Sequence, residues 1–201
     1  TEMPKVVDVA QRRTELAAAV WRVIRRDGLE HASVRNVARE SGWSMGALRH
    51  YFASQDELVA FAMELVADRA RDRAVAAHRA APDARSAAVA LLEQVLPLDA
   101  ERLEEAQVWL AFTARSFTDE RMARLRHRSY DDLHRVCEVA VGALLPDAQT
   151  RAEDHVRLEV ERLYALVDGL ALHAVTRPEA MPPHRVRDVL HAHLRRLEGT
   201  P

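Results

Sequence analysis

With Cys137 as its only cysteine, the chain can close no internal disulfide and offers no multi-cysteine zinc site. A lone thiol of this kind reads as a small hydrophobe buried in a helix. Glycine is scarce too, six in 201 residues, and no stretch alternates apolar with polar residues as a half-buried strand would. A β-sheet and a glycine-rich phosphate loop are therefore not expected, and no nucleophile-base-acid set or metal-ligand cluster stands out. The expectation is a protein that is not an enzyme and carries no cofactor. No apolar run approaches the ~20 residues that span a bilayer, and the start, Thr1 to Asp8, lacks the apolar stretch of a secretory signal. That reading places the chain in the cytosol with no membrane partner.

Histidine is present but poorly spaced for a metal. His127, Tyr130 and His134 share a helical face, as do His184 and His191, yet residues seven apart sit ~10 Å apart along a helix, too far for one ion. His191 and His193, two apart, point away from each other. No metal is expected.

What the chain does have is 48% hydrophobic and 30% charged residues, with the charges scattered, the composition of a folded globular protein. The formal net charge of −2 divides unevenly. Residues 1–55 carry nine Lys/Arg against six Asp/Glu, net +3, and the rest carries 20 against 25, net −5. A basic head on an acidic body suits a polyanion partner.

Abundant Ala, Leu, Arg and Glu predict helices throughout. The first should run from about Asp8 to Asp27, with Val9, Leu16, Val20, Val23 and Ile24 on one face and Gly28 as the stop. Ser33 can cap a short helix to about Glu40, and Ser44 another to about Tyr51. Ser54-Gln55-Asp56-Glu57 has the form of a capping box and opens a longer helix to about Ala80. Prolines at 82, 97, 146, 178, 182 and 183 then divide the remainder into helices near 82–96, 99–117, 119–145, 147–177 and 183–198. The fold class is all-α, nine helices in two domains: a three-helix head, 1–53, and a helical body, 54–201. No flexible linker separates them, so the helix from Ser54 should couple one to the other.

The segment from Val34 to Ala53 has the spacing of a helix-turn-helix. Val37, Trp43, Leu48 and Tyr51 supply the apolar contacts, Ala38 keeps the close approach free of bulk, and Gly42 can take the positive φ of a tight turn. Ser41 fits less well, since its site usually faces the small core. An ordinary helical corner would share this spacing, but the second helix is small or polar along its leading, outward positions. Ser44, Met45, Gly46, Ala47, Arg49 and His50 leave its backbone able to approach a duplex, and a major groove about 12 Å wide accepts such a helix.

The run from Ser33 to Leu58 resembles the DNA-binding signature of the TetR/AcrR transcriptional regulators. Ser33, Val37, Ala38, Gly42, Ser44, Gly46, Leu48, Tyr51, Phe52, Ser54 and Leu58 carry the match. Three positions depart from it: Trp43 replaces the usual valine, Arg49 stands where tyrosine is commonest, and Gln55 replaces a frequent phosphate-binding lysine. Arg49 either takes over that phosphate contact or reads a guanine through its two-pronged donor geometry. The candidate DNA-facing residues are Ser33, Arg35, Ser44, Met45, Gly46, Ala47, Arg49, His50, Tyr51 and Gln55. Leu-Arg-His-Tyr-Phe at 48–52 and the run from Leu166 to Val175 are similar to the BetI-type subgroup.

The resemblance implies a dimer, most often a repressor, on a pseudo-palindromic operator of double-stranded DNA, released by a small-molecule effector. It implies a four-helix bundle from the last two helices of each subunit. The apolar stripe Val156, Val160, Leu163, Val167 and Leu170, with Val186, Leu190, Leu194 and Leu197, is the expected seam, although core within one chain would look the same. Leu158, Leu166 and Leu172 lie off that stripe, which makes the penultimate helix apolar on more than one face. Trp109, Phe112, Arg115, Tyr130, His134 and Tyr164 are the candidate effector-lining residues, a mix of aromatic walls and a few polar groups. A constitutive DNA-binding module without an effector is the competing reading.

Overall fold

The computed structural model describes residues 9–117, 120–146, 148 and 152–199. Among them every regular element is a helix: α1 Val9–Asp27, α2 Val34–Ser41, α3 Met45–Arg49, α4 Gln55–Ala80, α5 Ala84–Gln94, α6 Ala100–Arg115, α7 Glu120–Leu144, α8 Glu153–Thr176 and α9 Pro183–Leu197, with one 3-10 turn at Leu29–His31. The expected start at Asp8, the Val9 side chain and the boundaries near 119 and 147 lie outside the described residues. Two compact units divide the chain, one ending at Leu65 and the other beginning at Val66, so the division falls inside α4.

In the first unit α1 buries Leu16, Ala19, Val20, Trp21, Val23 and Ile24, the apolar face that its 3.6-residue period requires. Gly28, at φ 83°, ends that helix. Val37, Ala38, Leu48, Phe52, Leu58, Phe61 and Ala62 complete a small core. Ser54 opens α4 as its sequence suggests, accepting from the Glu57 amide at 3.2 Å, while the Glu57 carboxylate reaches back to the Ala53 amide at 2.6 Å.

In the second unit aspartates start the helices that follow the prolines. Asp83 accepts from the Ser86 amide at 2.7 Å and Asp99 from the Arg102 amide at 2.8 Å, satisfying orphan N–H groups of α5 and α6. α5 is two residues shorter at each end than 82–96. α8 and α9 bury Val160, Leu163, Val167, Leu170 and Val186, Leu190, Leu194, Leu197 against Leu92 of α5, Leu96 just after it, and Cys137, Val141 and Leu144 of α7. That cluster is the core of this unit within a single chain. α4 and α6 are joined by two ion pairs one helical turn apart, Arg69 with Glu101 at 3.1 Å and Arg73 with Glu105. The second is bidentate, and Glu105 is buried.

Candidate functional site

Ser33 and Ser44 act as the caps that their spacing demands. Ser33 Oγ accepts from the Asn36 amide at 3.2 Å and Ser44 Oγ from the Ala47 amide at 3.1 Å. Between them Gly42 adopts the left-handed conformation, φ 74°, which a side chain would oppose. Ser41, the imperfect match, stitches this turn: its hydroxyl donates to the Ala38 carbonyl and accepts from the Trp43 amide, each at 3.3 Å. Helix α2 is thereby fixed against α3 with Val37 and Leu48 fully buried between them.

Helix α3 ends at Arg49, two residues short of the expected Tyr51. The amides of His50 and Tyr51 bond three residues back, to Ala47 and Leu48, at 3.3 and 2.9 Å, which tightens the last turn. Ser44, Met45, Gly46, Arg49 and His50 are all exposed, Ala47 is half-buried and Leu48 points into the core. The leading end of α3 thus offers its small and polar side outward.

Two residues assigned to the apolar lock behave differently. Trp43 is only half-buried, and Tyr51 is 43% exposed. They meet each other edge-to-face at 5.5 Å, a surface pair and not part of the core, because Val37, Leu48 and Phe52 already fill it. Gln55 is half-buried and its amide donates to the Ala32 carbonyl at 2.8 Å. It anchors the start of α4 to the loop before α2, so the nitrogen that would replace a lysine at a phosphate is already engaged. Ser33 is half-buried and Arg35 exposed.

Several arginines of this unit are held by other side chains, Arg39 by Asn36 at 3.3 Å among them. Arg22 and Arg26 grip Glu40 at 2.7 and 2.8 Å, Arg26 also binds Asp27, and Arg13 binds Glu64 at 3.1 Å. Arg12, Arg35 and Arg49 make no hydrogen bond or ion pair among the described residues. Their charge is left for an external anion.

In the second unit the structure brings Tyr130, His134 and Tyr164 together on α7 and α8. The tyrosine rings stack at 5.8 Å and the His134 ring lies 6.1 Å from Tyr164. His134 is flanked by two carboxylates, Glu161 at 3.1 Å and Glu138 at 3.4 Å. Asp168, not foreseen from the sequence, joins this group. Burial pushes its carboxyl up to about 6, against a hydrogen bond from Tyr164 that pulls it down. Burial and then the negative charge of Asp168 push the Cys137 thiol up to about 12, so it is a packing residue and no reactive thiolate at neutral pH. Of the α6 candidates, Phe112 is fully buried and Trp109 and Arg115 are half-buried. Among the described residues none of these three makes a ring contact with Tyr130 or Tyr164.

Most of the stripe expected at the seam between subunits lies inside the single chain. Val160, Leu163, Val167, Leu170, Val186, Leu190, Leu194 and Leu197 are buried within one chain, and Val156 packs partly buried at their edge. The opposite side of α8 is the exposed one, with Leu158 at 55%, Leu172 at 38% and Ala165 between them.

A capped three-helix head with an outward α3, followed by a helical body, is the architecture of a helix-turn-helix transcriptional regulator. Residues 16–62 match the family profile described as bacterial regulatory proteins, tetR family, and residues 82–198 match that of the BetI-type transcriptional repressor, C-terminal. The chain belongs to the TetR family, in its BetI-type branch, and is a transcriptional regulator. It is 39% identical over 194 residues to the HTH-type transcriptional regulator PksA of Bacillus subtilis, covering 96% of this chain and 92% of that one. A transcriptional regulator from Rhodococcus sp. Rha1 has the same fold at a TM-score of 0.75, with 32% identity over 92% of this chain and 95% of its own. A transcriptional regulator from Saccharomonospora viridis, crystallised in complex with choline, superposes at a TM-score of 0.76 with 26% identity, covering 91% and 95%. These relatives are regulators, not enzymes. Among the described residues no helix is long and apolar enough to cross a membrane.

Proposed function

We propose that the chain is a repressor that binds a pseudo-palindromic operator in the cytosol as a homodimer and releases it when a small molecule occupies its body. The observation that carries the DNA-binding part is the exposed leading face of α3, held out by two serine caps and the Gly42 turn. Arg49 and His50 on its last turn are the residues suited to base edges, and the free guanidiniums of Arg35 and Arg49 suit phosphates. A dimer places two such helices on successive half-sites. The exposed line Leu158, Ala165 and Leu172 on α8 is the surface we assign to the partner copy, since apolar side chains seven residues apart form a seam along a helix.

The effector we infer is a small organic cation. Stacked tyrosine faces attract cations, and Asp168, Glu161 and Glu138 add negative charge around Tyr130, His134 and Tyr164. The choline-bound relative supports the same chemistry. Occupancy would bias the body toward a pose in which α4, continuous from Gln55 to Ala80, resets the spacing of the two heads.

The test is anisotropy of a labelled duplex from the upstream region of the gene, with and without choline. Tight binding that choline weakens is expected. Equal affinity in its presence removes induction by this cation, and no binding at low ionic strength removes the regulator reading.

A further inference from the structure

We propose that Arg12 on α1 is a phosphate-binding residue of the operator interface, held in place by Trp43. The proposal rests on the DNA-binding reading and extends it to a helix outside the helix-turn-helix. Three side chains from three parts of the head form one stack. The Arg12 guanidinium lies over the Trp43 ring, 5.6 Å from its centroid, and Trp43 in turn meets Tyr51 edge-to-face at 5.5 Å. Trp43 follows the Gly42 turn and Tyr51 follows α3, so the indole bridges the groove-facing helix to the first turns of α1.

The chemistry follows from what each group has left over. A guanidinium lying on an aromatic face keeps its N–H edges free, and a planar fork of donors matches phosphate oxygens. Arg12 is exposed and has no carboxylate among the described residues, whereas its neighbour Arg13 is engaged by Glu64 and lies over Phe61. The indole restricts a side chain that would otherwise sample many rotamers, which lowers the entropy lost on gripping a phosphodiester. Gln55 cannot supply the cation at its own position, because it is uncharged and its amide is tied to Ala32. The stack offers a replacement from α1, and it depends on the tryptophan that stands where the family usually has valine.

A phosphate contact is blind to sequence and releases a counterion, so it is read from salt dependence on any duplex. The full chain is titrated against a mixed-sequence duplex and the upstream duplex over a salt series, with Arg12→Gln, Trp43→Val and Trp43→Phe beside the native protein. For Arg12→Gln the slope of log affinity against log salt should shrink by about 0.9, so that the fall between ~50 and ~200 mM salt becomes about threefold smaller. Both duplexes should be affected alike. Trp43→Val should weaken both although Arg12 is still present, and Trp43→Phe, which keeps an aromatic face for the guanidinium, should retain most of the affinity and the native salt slope. Arg12 is a surface side chain, so its variant stays folded and decides the matter even if Trp43→Val does not. An unchanged slope in Arg12→Gln, with the native protein binding normally, overturns the proposal alone. A native protein that binds neither duplex overturns the DNA-binding reading with it.

Discussion

Arg49 and His50 are exposed on the last turn of α3 and touch nothing that the fold needs. Replacing either by alanine should leave thermal stability within about 0.5 kcal/mol. Where the side chain reads a base, operator affinity should fall by about 1 to 3 kcal/mol while affinity for mixed-sequence DNA holds. Equal losses on both duplexes would assign that residue to the backbone instead. The exposure of these two residues was legible in the sequence, because the apolar contacts of the motif fall on Val37, Leu48 and Phe52 and leave charged and polar side chains at 49 and 50 no packing role. Asp168 was not legible. Its importance comes from burial beside Tyr164 and Cys137, which no local pattern announces. Its carboxyl, raised to about 6, binds a proton more tightly in the folded chain than in the unfolded one. Its contribution to stability is therefore greatest below about pH 4 and is lost as pH rises through about 6. Asp168→Asn should flatten that decline and raise the stability at pH 7 by about 1 to 2 kcal/mol, measured by urea unfolding across pH. Choline binding should move the opposite way, weakening as pH falls through about 6 where the carboxylate is neutralised, and Asp168→Asn should remove that dependence.

At the scale of elements, the starts of the head helices were readable because Ser33, Ser44 and Ser54 are side chains whose oxygens satisfy first-turn amides. The prolines that marked the later starts did not show that Asp83 and Asp99 would cap them. The end of α3 was not readable either, since the switch to three-back hydrogen bonds at His50 and Tyr51 depends on where Phe52 must point to fill the core. Two glycines separate fold from function in this motif. Gly42 has open space around its α-carbon but a positive φ, and Gly46 is helical with only the Ser44 hydroxyl within 4 Å of an added carbon. Gly42→Ala should thus cost about 1 kcal/mol of stability through backbone strain alone. Gly46→Ala should stabilise slightly, as alanine does in a helix, and yet weaken operator binding, because the added methyl stands on the face that approaches the duplex. Melting temperature and operator affinity measured on both variants check this opposition. A Gly46→Ala protein with native affinity would mean that α3 does not enter the groove closely.

For the whole molecule, the amphipathic stripes of α8 and α9 were visible, but their partner was not. A 3.6-residue period shows that a face is covered and is silent on whether the cover is the same chain or another. The structure assigns the Leu163 and Leu190 stripe to the intrachain core, and the exposed Leu158 and Leu172 side is the one we propose for a second copy. Leu163→Ala should then destabilise the fold by about 2 to 5 kcal/mol. Leu158→Arg should instead leave each chain folded and shift sedimentation velocity from dimer toward monomer, with a matching loss of operator affinity. A Leu158→Arg protein that remains a tight dimer would contradict that surface.

The central claim is that α3, from Ser44 onward, enters the major groove of DNA. Footprinting of the native protein on the upstream region of the gene measures this most directly. The expected result is protection of two half-sites related by an inverted repeat and centred on one face of the duplex, with guanine N7 methylation in each half-site interfering with binding. Uniform reactivity at low ionic strength, with protein in excess, would contradict it.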